Sequence, residues 1–364
     1  MNCYITGTGS FLPGEPVANA AIVEFMGELP DEASVRRKIL RMNGIKSRHY
    51  ALDRDQSATH DVYEMAALAT RNCLGGEAAA FSYLSAGSTN TPLVGPGLSS
   101  ILHSRLARHG LIAADLEINS NSGICTSSAQ ALVNACRAVA SGDHSEALCI
   151  GVEQPSDILK SSVIRPPDDR DQHLENPTGS KWFMSVFLRS MLSDGAGAAL
   201  IRDRPATGGI SYRVNWSYSR SFAHETPLCM SLESRSLLLS QDVAVLARHM
   251  KPCVDKLMRG AMARHGESLA DYRVVLPHLS SFYFKSYMLD VLTELGQGAL
   301  IDYWTNLETA GNTGAASIFI MLDEYTRRHP PAHGEKVLLF IPESGQFNFV
   351  VISLTTIHGN DAPS

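Results

Sequence analysis

The chain has 364 residues, 44% hydrophobic and 19% charged, with a formal net charge of −6. That length allows two or three ordinary domains and a large buried core, in a composition typical of globular proteins. The acidic balance argues against a nucleic-acid binder, since no basic excess exists to neutralise phosphates. No run approaches the ~20 apolar residues that a membrane span needs.

The opening Met-Asn-Cys-Tyr-Ile-Thr-Gly lacks the basic and apolar regions of a signal peptide. Seven cysteines (Cys3, Cys73, Cys125, Cys136, Cys149, Cys229 and Cys253) are odd in number and irregularly spaced. They form neither a disulfide framework nor a zinc motif. A reducing cytoplasm and no bound metal are the expectations.

Residues 3–14, Cys-Tyr-Ile-Thr-Gly-Thr-Gly-Ser-Phe-Leu-Pro-Gly, read as a strand entering a turn. Gly7 and Gly9 are not a dinucleotide fingerprint, because no third glycine or helix start follows. Helices are expected over 19–42 and 60–72, a short strand over Leu84–Gly87, and another helix over 97–108. The centre of the chain is Ile118-Asn-Ser-Asn-Ser-Gly-Ile-Cys125-Thr-Ser-Ser-Ala. A β-like run there gives way to a polar turn. A helix follows, with Ala129, Leu132, Val133, Cys136 and Val139 at i, i+3, i+4 and i+7 spacing. Cys125 falls at the join, where unpaired backbone N–H groups and the positive end of the helix dipole meet any anion. Such a thiol is either a nucleophile or a small buried hydrophobe.

A buried strand is expected at 147–152, followed by a polar, solvated loop over 155–181 centred on Arg165-Pro-Pro-Asp-Asp-Arg-Asp-Gln-His173. A helix at 182–192 leads to Ser193-Asp-Gly-Ala-Gly-Ala-Ala-Leu-Ile201, a turn and a strand. The second half repeats this order. A strand at 210–216 precedes a helix over 240–265, bent at Pro252. Tyr272–His278 then runs from strand into loop, and a helix follows at 282–295. Strands at 336–341 and 349–354 close the chain. Alternating strands and helices give an α/β architecture. In this reading 1–205 and 206–364 are pseudo-duplicated halves, with Cys125 and His278 at equivalent places.

A nucleophilic cysteine needs a lowered pKa or a partner base. A helix terminus supplies ~0.3–1 kcal/mol, occasionally ~2, against ~1.4 kcal/mol per pKa unit. From a starting value of ~8.5 the dipole alone leaves much of the thiol protonated at neutral pH. A cation or base is therefore needed. Of thirteen histidines, His278 fits best, ending an apolar run behind Pro277. Asn312, in Ala310-Gly-Asn-Thr-Gly-Ala-Ala-Ser, stands in a small-residue loop at the start of a buried helix; by itself it reads first as a plain N-cap.

Seven stretches together resemble the β-ketoacyl-acyl-carrier-protein synthase III-type enzymes of the thiolase superfamily, along nearly the whole chain. They are Gly7-Thr-Gly-Ser-Phe-Leu-Pro, Asn43-Gly-Ile-Lys-Ser-Arg-His49, the Cys125 turn and helix, Ser193-Asp-Gly-Ala-Gly-Ala-Ala, Leu276-Pro-His278, the Asn312 stretch, and Pro342-Glu-Ser-Gly345. The resemblance implies a thiolase-like fold with a layered α-β-α-β-α core and a Cys125–His278–Asn312 triad. Backbone N–H groups of Cys125 and Gly345 would form its oxyanion hole. It further implies that Cys125, as thiolate, takes an acyl group from a thioester. A malonyl-type thioester then loses carbon dioxide under His278 and Asn312, and the resulting enolate attacks the acyl-cysteine. No metal or redox cofactor is implied. The expected partners are acyl carrier protein or CoA thioesters and a second copy of the chain, with neither nucleic acid nor membrane.

The chain departs from the family's pattern in places. Where acyl-CoA users carry a tryptophan and an arginine, it has Lys38 and Met42, with Arg41 adjacent, which favours a carrier-protein donor. Leu279-Ser-Ser281 replaces Gln-Ala-Asn after the histidine, and Gly95 aligns with a gating phenylalanine. These departures point to specialised fatty-acid or polyketide-type biosynthesis. Arg248, Lys251, Arg259 and Lys285 are the candidate docking cations for an acidic carrier. The alternatives are a same-fold acyltransferase forming esters or amides, and a non-catalytic partner subunit, against which retention of the triad argues. Degradative thiolase is disfavoured because no cysteine follows Cys253.

Overall fold

A computed structural model of the chain describes residues 3–29, 32–165, 181–296 and 301–359. The first half runs β1 (Tyr4–Phe11), β2 (Val17–Ala18), α1 (Ile22–Met26), α2 (Glu32–Asn43), β3 (Ser47–Arg48), α3 (Val62–Cys73), β4 (Tyr83–Ser88) and α4 (Leu98–Arg108). It continues with β5 (Glu117–Ser122), α5 (Ser127–Ser141), β6 (Glu146–Glu153), α6 (Pro155–Leu159), α7 (Lys181–Arg189) and β7 (Gly195–Arg202). The second half holds β8 (Ile210–Ser221), β9 (Met230–Leu232), β10 (Leu239–Gln241), α8 (Val243–His265), β11 (Val274–Pro277) and α9 (Lys285–Leu295). It ends with α10 (Leu307–Ala310), α11 (Ser317–Arg328), β12 (Lys336–Pro342) and β13 (Asn348–His358).

Among the described residues, nine strands join in the order β11-β12-β13-β8-β1-β7-β6-β4-β5. From one edge, β5, β4 and β6 are parallel, and β7 and β1 follow antiparallel. From the other, β11 and β12 are parallel, and β13 and β8 follow antiparallel. The runs meet through the short β1–β8 pairing of Tyr4 with Arg213 and Ile5 with Tyr212. Tyr303, in a parallel bridge to Val275, stands where β5 stands in the first run. The duplicated order therefore matches β4 to β11, α4 to α9 and α5 to α11. This corrects the expected equivalence of Cys125 with His278: Cys125 matches Asn312, and His278 matches Thr89 at the end of β4. Strand–loop–helix occurs twice within each half, so element order alone could be matched in two ways.

Side-chain alternation along each strand builds the layers. Leu148, Ile150 and Val152 of β6 pack with α3 and α4, while Ala147 and Cys149 face α5. In β12, Val337, Leu339 and Ile341 join the same central core as α5 and α11, and Leu338 and Phe340 face α8 and α9. The result is an α-β-α-β-α stack whose strands are apolar on both faces. The two middle helices are buried nearly all round, and α5 is correspondingly rich in small residues. Gly87 is required here, because a Cβ on it would come 2.4 Å from the Ser127 carbonyl carbon at the start of α5.

Two further expectations change. The 19–42 helix is broken, with α1 ending at Gly27, whose φ of +75° suits glycine. The start of the 155–181 segment is not a solvated loop: α6 occupies it, and Ile158, Leu159 and Ile164 are buried in the core. Residues 166–180 lie outside the described residues. The helix expected from 240 begins at Val243 because Asp242 caps it, its Oδ1 accepting from Val245 N at 2.9 Å, and Pro252 lies within it. No helix among the described residues is long and apolar enough to cross a membrane.

Candidate active site

Cys125 sits between the end of β5 and the first turn of α5, where Ser127 N donates to Ile124 O (3.3 Å) and Gln130 N to Thr126 O (2.9 Å). Part of its surface opens onto a cavity, but dense protein surrounds the sulfur. Burial pushes the thiol well above its ordinary pKa, and the negative charges of Glu343 and Glu153 push it further. Glu343 Oε2 accepts from Thr126 N at 3.2 Å and from the Thr126 hydroxyl; its Oε1 accepts from Asn348 Nδ2 at 3.1 Å.

His278 follows β11 and is pinned by its own N–H, which donates to Phe340 O at 2.8 Å. Its side chain is buried, and neither ring nitrogen has a hydrogen-bond partner among the described residues. Burial alone lowers its pKa to about 4, so the imidazole is neutral. The cation sought to ionise Cys125 is therefore not His278. A buried polar group without a partner calls for explanation, and a ligand atom is the natural one.

Asn312 is fixed by its backbone, with its N–H on Met191 O (3.1 Å) and its carbonyl accepting from Ser193 N (2.9 Å). The side-chain Oδ1 accepts from Gly314 N at 3.0 Å, which leaves the amide NH2 as the end to present to a ligand. Gly311, at φ +73°, makes the turn; a Cβ on it would come 2.9 Å from the Cβ atoms of Arg48 and Ser193.

Two cavities meet at Cys125. The larger, about 680 Å³, is lined by Cys125 and Asn312 and by apolar side chains including Ile124, Ile158, Met184, Leu188 and Leu239. The smaller, about 60 Å³, is lined by Cys125 and His278 with Val254, Met258, Val291 and Phe340. Among the described residues neither is lined by lysine or arginine.

Two acidic residues that were not among the sequence candidates belong to the site. Glu153, 4% exposed at the end of β6, lines the larger cavity. Its Oε1 accepts from Thr89 N (2.9 Å), Thr89 Oγ1 (2.6 Å) and Ala315 N (3.2 Å). Burial nevertheless raises its pKa to about 7. Glu343 is the second. The local signal for Glu153 is an acidic residue at the end of an apolar run; Glu343 shares it and also lies within the Pro342-Glu-Ser-Gly345 stretch.

The remaining sequence candidates divide. Gly345 lies beside the nucleophile turn, its carbonyl accepting from Cys229 N (2.9 Å) and Met230 N (3.1 Å). A Cβ on it would come 3.0 Å from Ile124 Cγ1. Among the described residues the Gly345 N–H donates to no protein acceptor, and the Cys125 N–H serves its own thiol. Gly95 is exposed and lines neither cavity, whereas Thr89 and Asn90 line the larger. Arg41 is exposed at the end of α2, and its neighbours Ile39 and Met42 line that cavity instead. Arg248, Arg259 and Lys285 are exposed, but Lys251 is engaged by Asp255 (3.3 Å) and Glu294 (3.0 Å).

The layered arrangement around this cluster is the thiolase-like fold. No family model matches the chain. It is 24% identical over 343 residues to the β-ketoacyl-acyl-carrier-protein synthase III of Xanthomonas oryzae pv. oryzae, covering 92% of this chain and 93% of that protein. Solved structures with the same fold include the synthase III FabH of Pseudomonas aeruginosa PAO1 (19% identity, TM-score 0.71, 98% of each chain). The tetronic acid condensing enzyme AbyA1 is another (17%, 0.74, 97% of this chain and 99% of that one). A variant of OleA from Xanthomonas campestris is a third (17%, 0.77, 98% of each chain). In fold and along its length, the chain is synthase III-like.

Proposed function

We propose that the chain is a β-ketoacyl synthase III-like acyltransferase acting in specialised fatty-acid or polyketide-type biosynthesis. Cys125 takes an acyl group from an acyl thioester, with the N–H groups of Cys125 and Gly345 holding the oxyanion. Each such donor is typically worth ~2.7–4 kcal/mol. A malonyl-type thioester follows, its carbonyl oxygen held by His278 Nε2 and the Asn312 amide. Carbon dioxide leaves, and the enolate attacks the acyl-cysteine. A neutral imidazole suits this role, since its N–H donates without first losing a charge. No cofactor is called for.

The observation that carries this reading is the meeting of two apolar-walled cavities at one thiol, with unpartnered polar groups beside it. The walls suit an acyl chain. In this reading residues 1–205 and 206–364 are thiolase-like halves contributing the nucleophile and its two partners respectively. Carrier-protein thioesters are the preferred donors, and Arg248, Arg259 and Lys285 are the cations available to an acidic carrier. A homodimer is proposed through β5, which ends the sheet with alternately exposed residues, since an open strand edge is a template for pairing. Seven free cysteines accord with the cytoplasm.

The test is product mass after incubation with an acyl-thioester panel, with and without a malonyl donor. A β-keto product that needs the malonyl donor is expected. Transfer of the acyl group to a hydroxyl or amine without carbon–carbon bond formation would replace the second step by ester or amide synthesis.

A further inference from the structure

Glu343 has no part in the chemistry above, yet it is buried (3% exposed) against the turn that carries the nucleophile. Three neutral donors converge on its carboxylate: Thr126 N, the Thr126 hydroxyl and Asn348 Nδ2. The first of these belongs to the residue directly after Cys125. We propose that Glu343 is a positioning residue that occupies the anion-accepting end of α5 and holds Cys125 as a neutral thiol until an acyl thioester engages it. This rests on the reading of Cys125 as the nucleophile.

A helix N-terminus stabilises one nearby anion. Here a fixed carboxylate already takes the Thr126 N–H next to Cys125, leaving a thiolate the N–H of Cys125 itself, and a second charge must form against the first. The other groups facing Cys125 do not offset this. Glu153 approaches from the end of β6 and is also acidic; His278, beyond β11, is neutral; Asn312 is an amide. No lysine or arginine among the described residues lines either cavity. A neutral thiol resists alkylation and oxidation while the site is empty. During acylation the Cys125 Sγ–carbonyl bond forms and the donor's C–S bond breaks. The thiol proton passes to the departing thiolate, so the donor leaves as a thiol and no net charge stays on Cys125.

The experiment is the pH profile of iodoacetamide alkylation at the Cys125 peptide, read by mass, in the full chain. In the wild type the midpoint is expected above the ~8.5 of a free cysteine. Glu343→Gln, which keeps a side-chain oxygen for the Thr126 N–H, is expected to lower the midpoint by about one pH unit. That raises the rate at neutral pH roughly tenfold, since one unit is a tenfold change in thiolate. Glu343→Asp, which keeps the charge, is expected to retain the high midpoint. A Glu343→Gln profile superimposed on the wild type, or an Asp profile lowered like that of Gln, would overturn the proposal. If Glu343→Gln fails to fold, a wild-type midpoint below 7 overturns it unaided. Acyl-thioester labelling of the same preparations separates the two readings, since Cys125 without an acyl adduct but with the expected alkylation profile would count against the acyltransferase alone.

Discussion

Cys125 and Asn312 occupy matching points of a duplicated chain. One follows β5 and opens α5; the other follows the Tyr303 bridge and opens α11 through a 3-10 turn at Gly314–Ala316. Both helices lie in the middle layer and share one core. The same match pairs Thr89 with His278, each directly after a parallel strand. Their environments differ. Thr89 spends its N–H and its hydroxyl on Glu153, whereas the His278 ring spends nothing. Each turn meets a carboxyl, Glu343 at Thr126 N and Glu153 at Ala315 N, but Asn312 itself is held by backbone groups. Duplication thus supplies positions, and the side chains then divide the work: one half offers a covalent acceptor and the other offers hydrogen-bond donors.

That division can be broken experimentally. Asn312→Asp and His278→Ala remove donors from the second half, and each is expected to slow malonyl decarboxylation by about 10²–10³-fold, the usual cost of one such donor. Acylation of Cys125 in the same variants is expected to fall by far less. Single-turnover measurement of both steps checks this, and equal loss in both would mean that the halves do not divide the reaction.

A smaller effect sharpens the contrast between Thr89 and His278. Glu153, which binds Thr89, has a folded pKa of about 7, well above the ordinary carboxyl value, because it is buried. Between the unfolded and folded values the native chain holds a proton that the unfolded chain has released, so stability falls as pH rises from about 4.5 to about 7. The loss from this group is on the order of 3 to 4 kcal/mol. Asp194, raised to about 6 by burial, adds to the lower part of that window. Urea unfolding of wild type and Glu153→Gln at several pH values is expected to show the variant losing its dependence between pH 6 and 7. An unchanged slope there would assign the titration elsewhere.

Much of this arrangement was legible in the sequence, because Cys125 and Asn312 each sit in a glycine-containing polar turn before a run of small residues. His278 was legible as the end of an apolar strand behind Pro277. Glu153 was not, and the place of Glu343 in the Pro342-Glu-Ser-Gly345 stretch did not reveal its burial against the Cys125 turn. The donors to Glu153 lie 64 and 162 residues away, and Thr126 lies 217 residues from Glu343, so nothing nearby marks either carboxylate as buried. The pairing of Cys125 with Asn312 was hidden for a different reason. It depends on sheet order, and Tyr303 contributes one bridge where β5 contributes a whole strand. The neutral state of His278 was equally out of reach, since it follows from burial by distant segments.

The most direct measurement is peptide mass after incubating the chain with a broad panel of acyl-carrier and acyl-CoA thioesters. One acyl mass on the Cys125 peptide, absent from Cys125→Ala, is the expected result. No adduct across the panel, or an adduct on another of the seven cysteines, would contradict Cys125 as the acyl acceptor.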